Sequence, residues 1–146
     1  MDFAFTEEQE LLRRSLRELL ARVCPPEYAR ACDEAKEPPR EARRALDEGG
    51  WVGLAIPEEY GGQGRDALDL AILLEEGGRA YLDLGTWLFR DVCYGGEAIL
   101  RDGTEEQKRF FLPRVARGEL SFSFALTEPE AGSDAAAIVT RARREG

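Results

Sequence analysis

Through most of the chain, apolar residues recur with the period of a helix. Leu12, Leu16, Leu19, Leu20 and Val23 fall at i, i+4, i+7, i+8 and i+11, which places them on one helical face. Thr6 stands where an N-cap belongs, and Gln9 three residues on completes a capping box. Cys24-Pro25-Pro26 should end this helix. A shorter helix is expected from Pro39 to Glu48, opening on proline and stopping at Gly49-Gly50. The segment from Trp51 to Gly64 carries no period. Asp66 can cap a helix that runs through Glu76, and a further helical stretch spans about Thr86 to Leu100, weakened in its middle by Gly95-Gly96. Thr104 and Gln107 form a second capping box, opening a helix that Pro113 interrupts and Gly118 ends.

After Gly118 the period changes from helical to alternating. Ser121-Phe122-Ser123-Phe124-Ala125-Leu126 reads as a strand with one buried face, Thr127 to Asp134 as turns, and Ile138 to Arg143 as a second strand. The fold class expected is therefore mainly α, with an all-helical domain over residues 1–118 and the opening of a β domain over 119–146. Two strands without partners can neither bury a face nor satisfy their edges, so the β part reads as cut short.

Composition narrows the chemistry. The chain has 146 residues and no histidine, which removes Ser-His-Asp and Cys-His catalysis and histidine-ligated metal or haem. Cys24, Cys32 and Cys93 show no CxxC spacing and are odd in number, so they read as reduced, buried residues. A formal net charge of -9 opposes nucleic-acid binding. The amino terminus resembles neither a signal nor a transit peptide, and the purest apolar run, Leu70 to Leu74, is far too short to cross a bilayer. A cytoplasmic location is the expectation.

Two motifs invite over-reading. Gly62-Gln63-Gly64-Arg65-Asp66-Ala67 fits a loose GxGxxA dinucleotide pattern, but Pro57-Glu58-Glu59-Tyr60 intervenes where a strand should end and a phosphate approach. A glycine-rich loop between helices is expected there. The carboxylate pairs Glu7-Glu8, Glu58-Glu59, Glu75-Glu76 and Glu105-Glu106 consist of adjacent residues, which do not face each other on a helix, and they read as solvated faces.

The stretch from Phe124 to Asp134 carries the chemistry. Read blandly, it is a strand, a proline turn and a small-residue loop. Read functionally, it is a platform for a flat, anionic cofactor. The main chain of Phe124, Ala125 and Leu126 would offer N–H and C=O groups to a ring edge. The Thr127 hydroxyl can donate or accept, which suits a flavin N5. Gly132 and Ser133 would combine close backbone approach with a hydroxyl at a diphosphate.

The run Thr127-Glu128-Pro129-Glu130-Ala131-Gly132-Ser133-Asp134 resembles the first signature of the acyl-CoA dehydrogenase family. Three other stretches resemble that family in the right order: Phe3 to Gln9, Gly53 to Gly62, and Thr104 through Pro113 to Gly118-Glu119. The resemblance implies an amino-terminal helical domain followed by the first strands of a middle β-barrel, with a carboxy-terminal helical bundle beyond and FAD at their junction. It implies that Phe124, Leu126 and Thr127 line the flavin, that Gly132 and Ser133 meet its diphosphate, and that Ser133 and Thr86 lie beside the acyl-CoA. Glu130 departs from the small residue usual in members and is expected to face solvent.

The family reaction, as the resemblance implies it, removes the α-proton of an acyl-CoA thioester while the β-hydrogen leaves as hydride to the flavin. Its carboxylate base comes from the carboxy-terminal helices, so no catalytic residue is assigned within these 146 residues, and this chain alone is expected to be inactive. Acyl-CoA as substrate, an electron-transfer flavoprotein or similar acceptor, and a homo-oligomer are the implied partners. Two alternatives stay open at this point: a non-enzymatic helical interaction module, and a same-fold acyl-CoA oxidase or flavin monooxygenase.

Overall fold

The computed structural model describes residues 4–143 and Glu145. Helix α1 (Glu7–Val23) begins at Thr6, whose hydroxyl accepts from the Gln9 amide at 3.2 Å, while Gln9 Oε1 accepts from the Thr6 amide at 3.1 Å. The expected capping box is formed. Phe3 of the amino-terminal stretch lies outside the described residues.

Pro25-Pro26 ends α1 and also starts α2 (Pro26–Ala35), a helix the sequence reading overlooked. A proline in the first turn loses nothing, because that N–H has no intrahelical acceptor. Helix α3 (Arg40–Glu48) follows, with Pro39 just before it. Short 3-10 turns at Trp51–Gly53 and Glu58–Tyr60 occupy the segment without period. Gly62 to Asp66 of the GxGxxA motif lie in the loop that leads from them to α4, and Ala67 opens that helix; among the described residues no strand precedes it, as its glycine-loop reading requires.

Helix α4 (Ala67–Ala80) is capped by Asp66, whose carboxylate accepts from the Leu68 and Asp69 amides. It runs past Glu76 through Gly77-Gly78. Glycine usually weakens a helix, but here it allows α4 and α5 (Leu82–Phe89) to touch: a Cβ on Gly85 would lie 2.6 Å from Gly78 Cα, and one on Gly77 would lie 2.9 Å from Leu88 Cδ1.

From Arg90 to Glu97 the same helix widens into a π-helical stretch, then returns to α geometry in α6 (Ala98–Asp102). The expected Thr86–Leu100 helix is thus longer at its start and π-helical, not broken, around Gly95-Gly96. Helix α7 (Glu105–Ala116) opens with the second capping box, at Thr104 and Gln107. Pro113 does not interrupt it; the helix continues to Ala116.

Two apolar clusters hold these helices. The larger joins Leu16, Leu20, Leu46, Val52, Leu54, Ile72, Leu73, Leu84, Leu88 and Val92; the smaller joins Ile56, Tyr60, Leu112, Val115 and Ala116, with Phe122 packed on it. Each fully buried leucine or isoleucine removes roughly 1.5–3 kcal/mol of unfavourable exposure. Glu76 corrects the reading of the carboxylate pairs: it is buried and bonded to Arg17, whereas Glu75 and the members of the other three pairs face solvent.

The residues after Gly118 behave differently. Among the described residues no strand forms: Ser121–Leu126 and Ile138–Arg143 have no regular structure, and the β-pairing is one isolated antiparallel bridge, Glu128 to Ala131. A strand pattern cannot become a strand without a neighbour to complete its ladder. The helical part of the expected fold is observed, and the start of a barrel is not.

Candidate functional site

The exit from α7 turns at Gly118, where φ is +69° and a Cβ would lie 2.2 Å from the Asp47 carboxylate. The chain then runs back along the π-helical stretch. Phe122 lies over Gly95, so close that a Cβ there would lie 2.1 Å from its ring. Two residues on, Phe124 stacks on Tyr94 with ring centroids 4.2 Å apart, and Tyr94 meets Phe89 edge-on at 4.8 Å.

This aromatic row is open to solvent. Phe124 is 52% exposed and Leu126 44%, values that Leu11, Phe110 and Leu82 elsewhere on the surface equal or exceed; what sets these two apart is that they are two residues apart in one stretch, beside the exposed rings of Tyr94 and Phe89. Ala125 and Thr127 are exposed as well. Phe124 to Thr127 therefore present an uncovered apolar surface ending in a hydroxyl, the features a flavin ring edge needs. Thr86 is exposed on α5, one turn before Phe89, and its hydroxyl donates to the Leu82 carbonyl at 3.0 Å.

The signature stretch folds on itself. Glu128 and Ala131 exchange both backbone hydrogen bonds, at 3.0 and 3.2 Å, so Thr127 and Gly132 flank a closed turn. Ala131 is buried, whereas Glu130, Gly132 and Ser133 face solvent, which is the outcome expected for Glu130. Nothing lies within 4 Å of where a Gly132 Cβ would be, so the space over the turn is open.

The Glu128 carboxylate reaches across the loop. It accepts from the Val139 amide at 3.0 Å, from the Thr140 amide at 2.8 Å and from the Thr140 hydroxyl. These donors, the Thr140 hydroxyl first, hold its carboxyl below the usual carboxylate range. The turn that carries Gly132 and Ser133 is thereby closed at its base. In this arrangement Phe124, Ala125, Leu126 and Thr127 form one exposed stretch, Thr127 and Gly132 flank the Glu128–Ala131 bridge, and Ser133 follows exposed. Those residues fit a flat ring followed by a diphosphate.

Sequence reasoning did not single out Asp91, Tyr94, Phe89 or Ser121. An acidic residue in a helix otherwise burying Leu84, Leu88 and Val92 was the available signal for Asp91. The cysteines are free, with Cys24 and Cys32 buried and Cys93 half-buried, and burial pushes the Cys24 and Cys93 thiols up. No group of metal-ligating side chains occurs among the described residues, and no helix there is long and apolar enough to cross a membrane.

Residues 6–119 match the family model described as the acyl-CoA dehydrogenase N-terminal domain. The chain is 39% identical to the acyl-CoA dehydrogenase FadE26 of Mycobacterium tuberculosis over 100% of its own length and 37% of that protein's. Among solved structures, the ChsE4-ChsE5 complex from Mycobacterium tuberculosis matches with TM-score 0.82 and 40% identity, over 100% of this chain and 37% of that one. The glutaryl-coenzyme A dehydrogenase complex with glutaryl-CoA matches with TM-score 0.85 and 34% identity, over 94% of this chain and 35% of that one.

Proposed function

The chain belongs to the acyl-CoA dehydrogenase family, and from that premise we propose that residues 1–146 supply the helical platform and the first flavin-facing segment of an enzyme that oxidises the α,β bond of an acyl-CoA thioester. The observation that supports this most is the uncovered row from Phe124 to Thr127, followed by a turn closed between Glu128 and Ala131 that leaves Gly132 and Ser133 exposed.

FAD, when bound, would supply the hydride acceptor for the β-hydrogen. The chain's own residues bind and orient. Phe124 and Leu126 give the ring an apolar seat and exclude water from it, and the Thr127 hydroxyl makes one hydrogen bond at the ring edge. Ser133 donates to the diphosphate from a turn whose open space at Gly132 lets that group approach. Thr86 and Phe89 wall one side of the acyl group, and Ser133 lies near the thioester end. The base that takes the α-proton and the other half of the flavin's surround belong to parts of such an enzyme outside residues 1–146, so these residues alone turn nothing over for want of the first and hold FAD weakly for want of the second. An electron-transfer flavoprotein or similar acceptor takes the electrons, and the working enzyme is an oligomer of identical chains in the cytoplasm.

The chain spans 37% of the length of FadE26, which sets the form of the test. Residues 1–146 fused to the remaining length of FadE26 and loaded with FAD should lose flavin colour on anaerobic addition of an acyl-CoA. A loaded fusion that keeps its colour with short-, long-, branched- and aryl-acyl thioesters contradicts the proposal.

A further inference from the structure

We propose that Asp91 is a positioning residue for the flavin-facing segment: through Ser121 it sets the register in which residues 121–127 lie along the π-helical stretch. The significance of that register rests on the function proposed above, but the register itself is a property of this chain without flavin.

Asp91 has no exposure at all, and each of its carboxylate oxygens is assigned. Oδ2 accepts from Arg43 Nη1 at 2.6 Å. Oδ1 accepts from the Ser121 hydroxyl and from the Phe122 amide, both at 2.9 Å. Ser121 Oγ in turn accepts from the Trp87 indole N–H at 2.9 Å, so its single proton is committed to Asp91. Arg43 is also buried; it bonds Asp47 at 2.7 Å and lies over the Trp87 ring with its guanidinium carbon 4.9 Å from the centroid. Burial pushes the Asp47 carboxyl up, against the lowering effect of Arg43.

Removing a carboxylate and a guanidinium from water costs several kcal/mol per ion, and an apolar pair of similar volume stabilises a bundle as well or better. What an apolar pair cannot do is recognise one backbone position. Oδ1 reads a hydroxyl and the next residue's amide together; within 119–127 Ser121-Phe122 and Ser123-Phe124 both offer that pair, no one-residue slip does, and the Trp87 indole bond to Ser121 marks the first as the pair in use. Correct register puts Phe122 over Gly95 and Phe124 on Tyr94. A slip of one residue would bring Ser121 and Ser123, or Ser123 and Ala125, to the places that Phe122 and Phe124 now fill on Gly95 and Tyr94. The π-helical stretch supports this, since Asp91 and the side-chain-free Gly95 lie about one turn apart on it.

The test uses the 146-residue chain with Ser121→Ala, Ser121→Thr and Asp91→Asn, followed by NMR and thermal unfolding. In Ser121→Ala, the ring-to-ring NOE between Phe124 and Tyr94 should vanish, the Trp87 indole proton should shift, and the Phe122 amide should exchange roughly tenfold faster. Its melting temperature and the exchange of α1 amides should stay at the parent values. Ser121→Thr, which keeps the hydroxyl at an exposed position, should restore all three signals. Asp91→Asn should lose them too; if that variant unfolds, the two Ser121 variants carry the test alone. Persistence of the NOE and of Phe122 protection in Ser121→Ala overturns the proposal. So does failure of Ser121→Thr to recover them, or a fall in global stability large enough to explain the faster exchange. No readout involves flavin, so a colourless fusion would remove the functional reading and leave the register result as it stood.

Discussion

Leu84 and Phe124 are both large, apolar and present in regions rich in such residues, yet Leu84 is fully buried and Phe124 is 52% exposed. The difference is one of backbone. A helix satisfies its N–H and C=O groups within itself, so α1 to α7 can bring their apolar faces together using nothing but this chain. Residues 121–143 have strand patterning, and a strand satisfies its backbone only against a neighbour. The helices therefore need no neighbour for their backbones, while the exit segment is held by side chains: by Asp91 and Trp87 at Ser121-Phe122, by Gly95 and Tyr94 under Phe122 and Phe124, and within itself by Glu128 at Val139-Thr140. At Phe124 and Leu126 this leaves an apolar surface that the bundle does not cover.

The sharpest way to break that contrast is to remove the first hold. Asp91→Ala leaves the Arg43 guanidinium buried with only Asp47 as partner, and should cost about 3–5 kcal/mol in urea unfolding. A cost near zero would mean that Arg43 escapes to water and that the network is dispensable. Next in size, Leu84→Ala should cost about 2–5 kcal/mol by leaving a cavity between α4 and α5, whereas Phe124→Ala should change stability by less than about 0.5 kcal/mol. Equal losses from the two would erase the distinction between the regions. Gly85→Ala tests the close approach of α4 and α5 and should cost about 1–3 kcal/mol, because the new methyl meets the Gly78 backbone.

The smallest effect is local and depends on pH. The Glu128 carboxyl is lowered by the Thr140 hydroxyl and by the Val139 and Thr140 amides. A carboxyl whose pKa falls on folding contributes order that is fully present above its unfolded value and is lost as pH drops through the folded one. Thr140 and Val139 amide protection should therefore hold from neutral pH down through the usual carboxylate range and fade only below it. Fading above that range would show that Glu128 does not close the loop.

Much of this contrast was legible in the residues. Both capping boxes, at Thr6 and Thr104, formed as their spacing required, because a cap depends on four consecutive residues and little else. Pro26 misled because proline is a breaker only where an N–H is needed, and at the start of α2 it is not; Pro113 lies inside α7, where one intrahelical bond is lost, and the helix nevertheless continues to Ala116. Gly95-Gly96 looked like a weak point and is a contact point, as Gly77-Gly78 also proves to be, a role set by what lies opposite, at Phe122 and Gly85. For the site, local chemistry pointed to Phe124 to Ser133, and the structure adds that Phe124 and Leu126 are open and that Thr127 and Gly132 flank one turn. Asp91 was not legible, since its partners Arg43 and Ser121 are 48 and 30 residues away in the chain.

The most direct measurement is the flavin content of the fused protein, residues 1–146 followed by the remaining length of FadE26, compared with the same fusion carrying Phe124→Ala and Leu126→Ala. The parent fusion should leave the column yellow with close to one FAD per chain, and the double variant, equally folded, should leave it largely colourless and take up FAD only in excess. Equal flavin content in the two, or a parent that stays colourless after incubation with FAD, would contradict the assignment of residues 124–127 to the flavin.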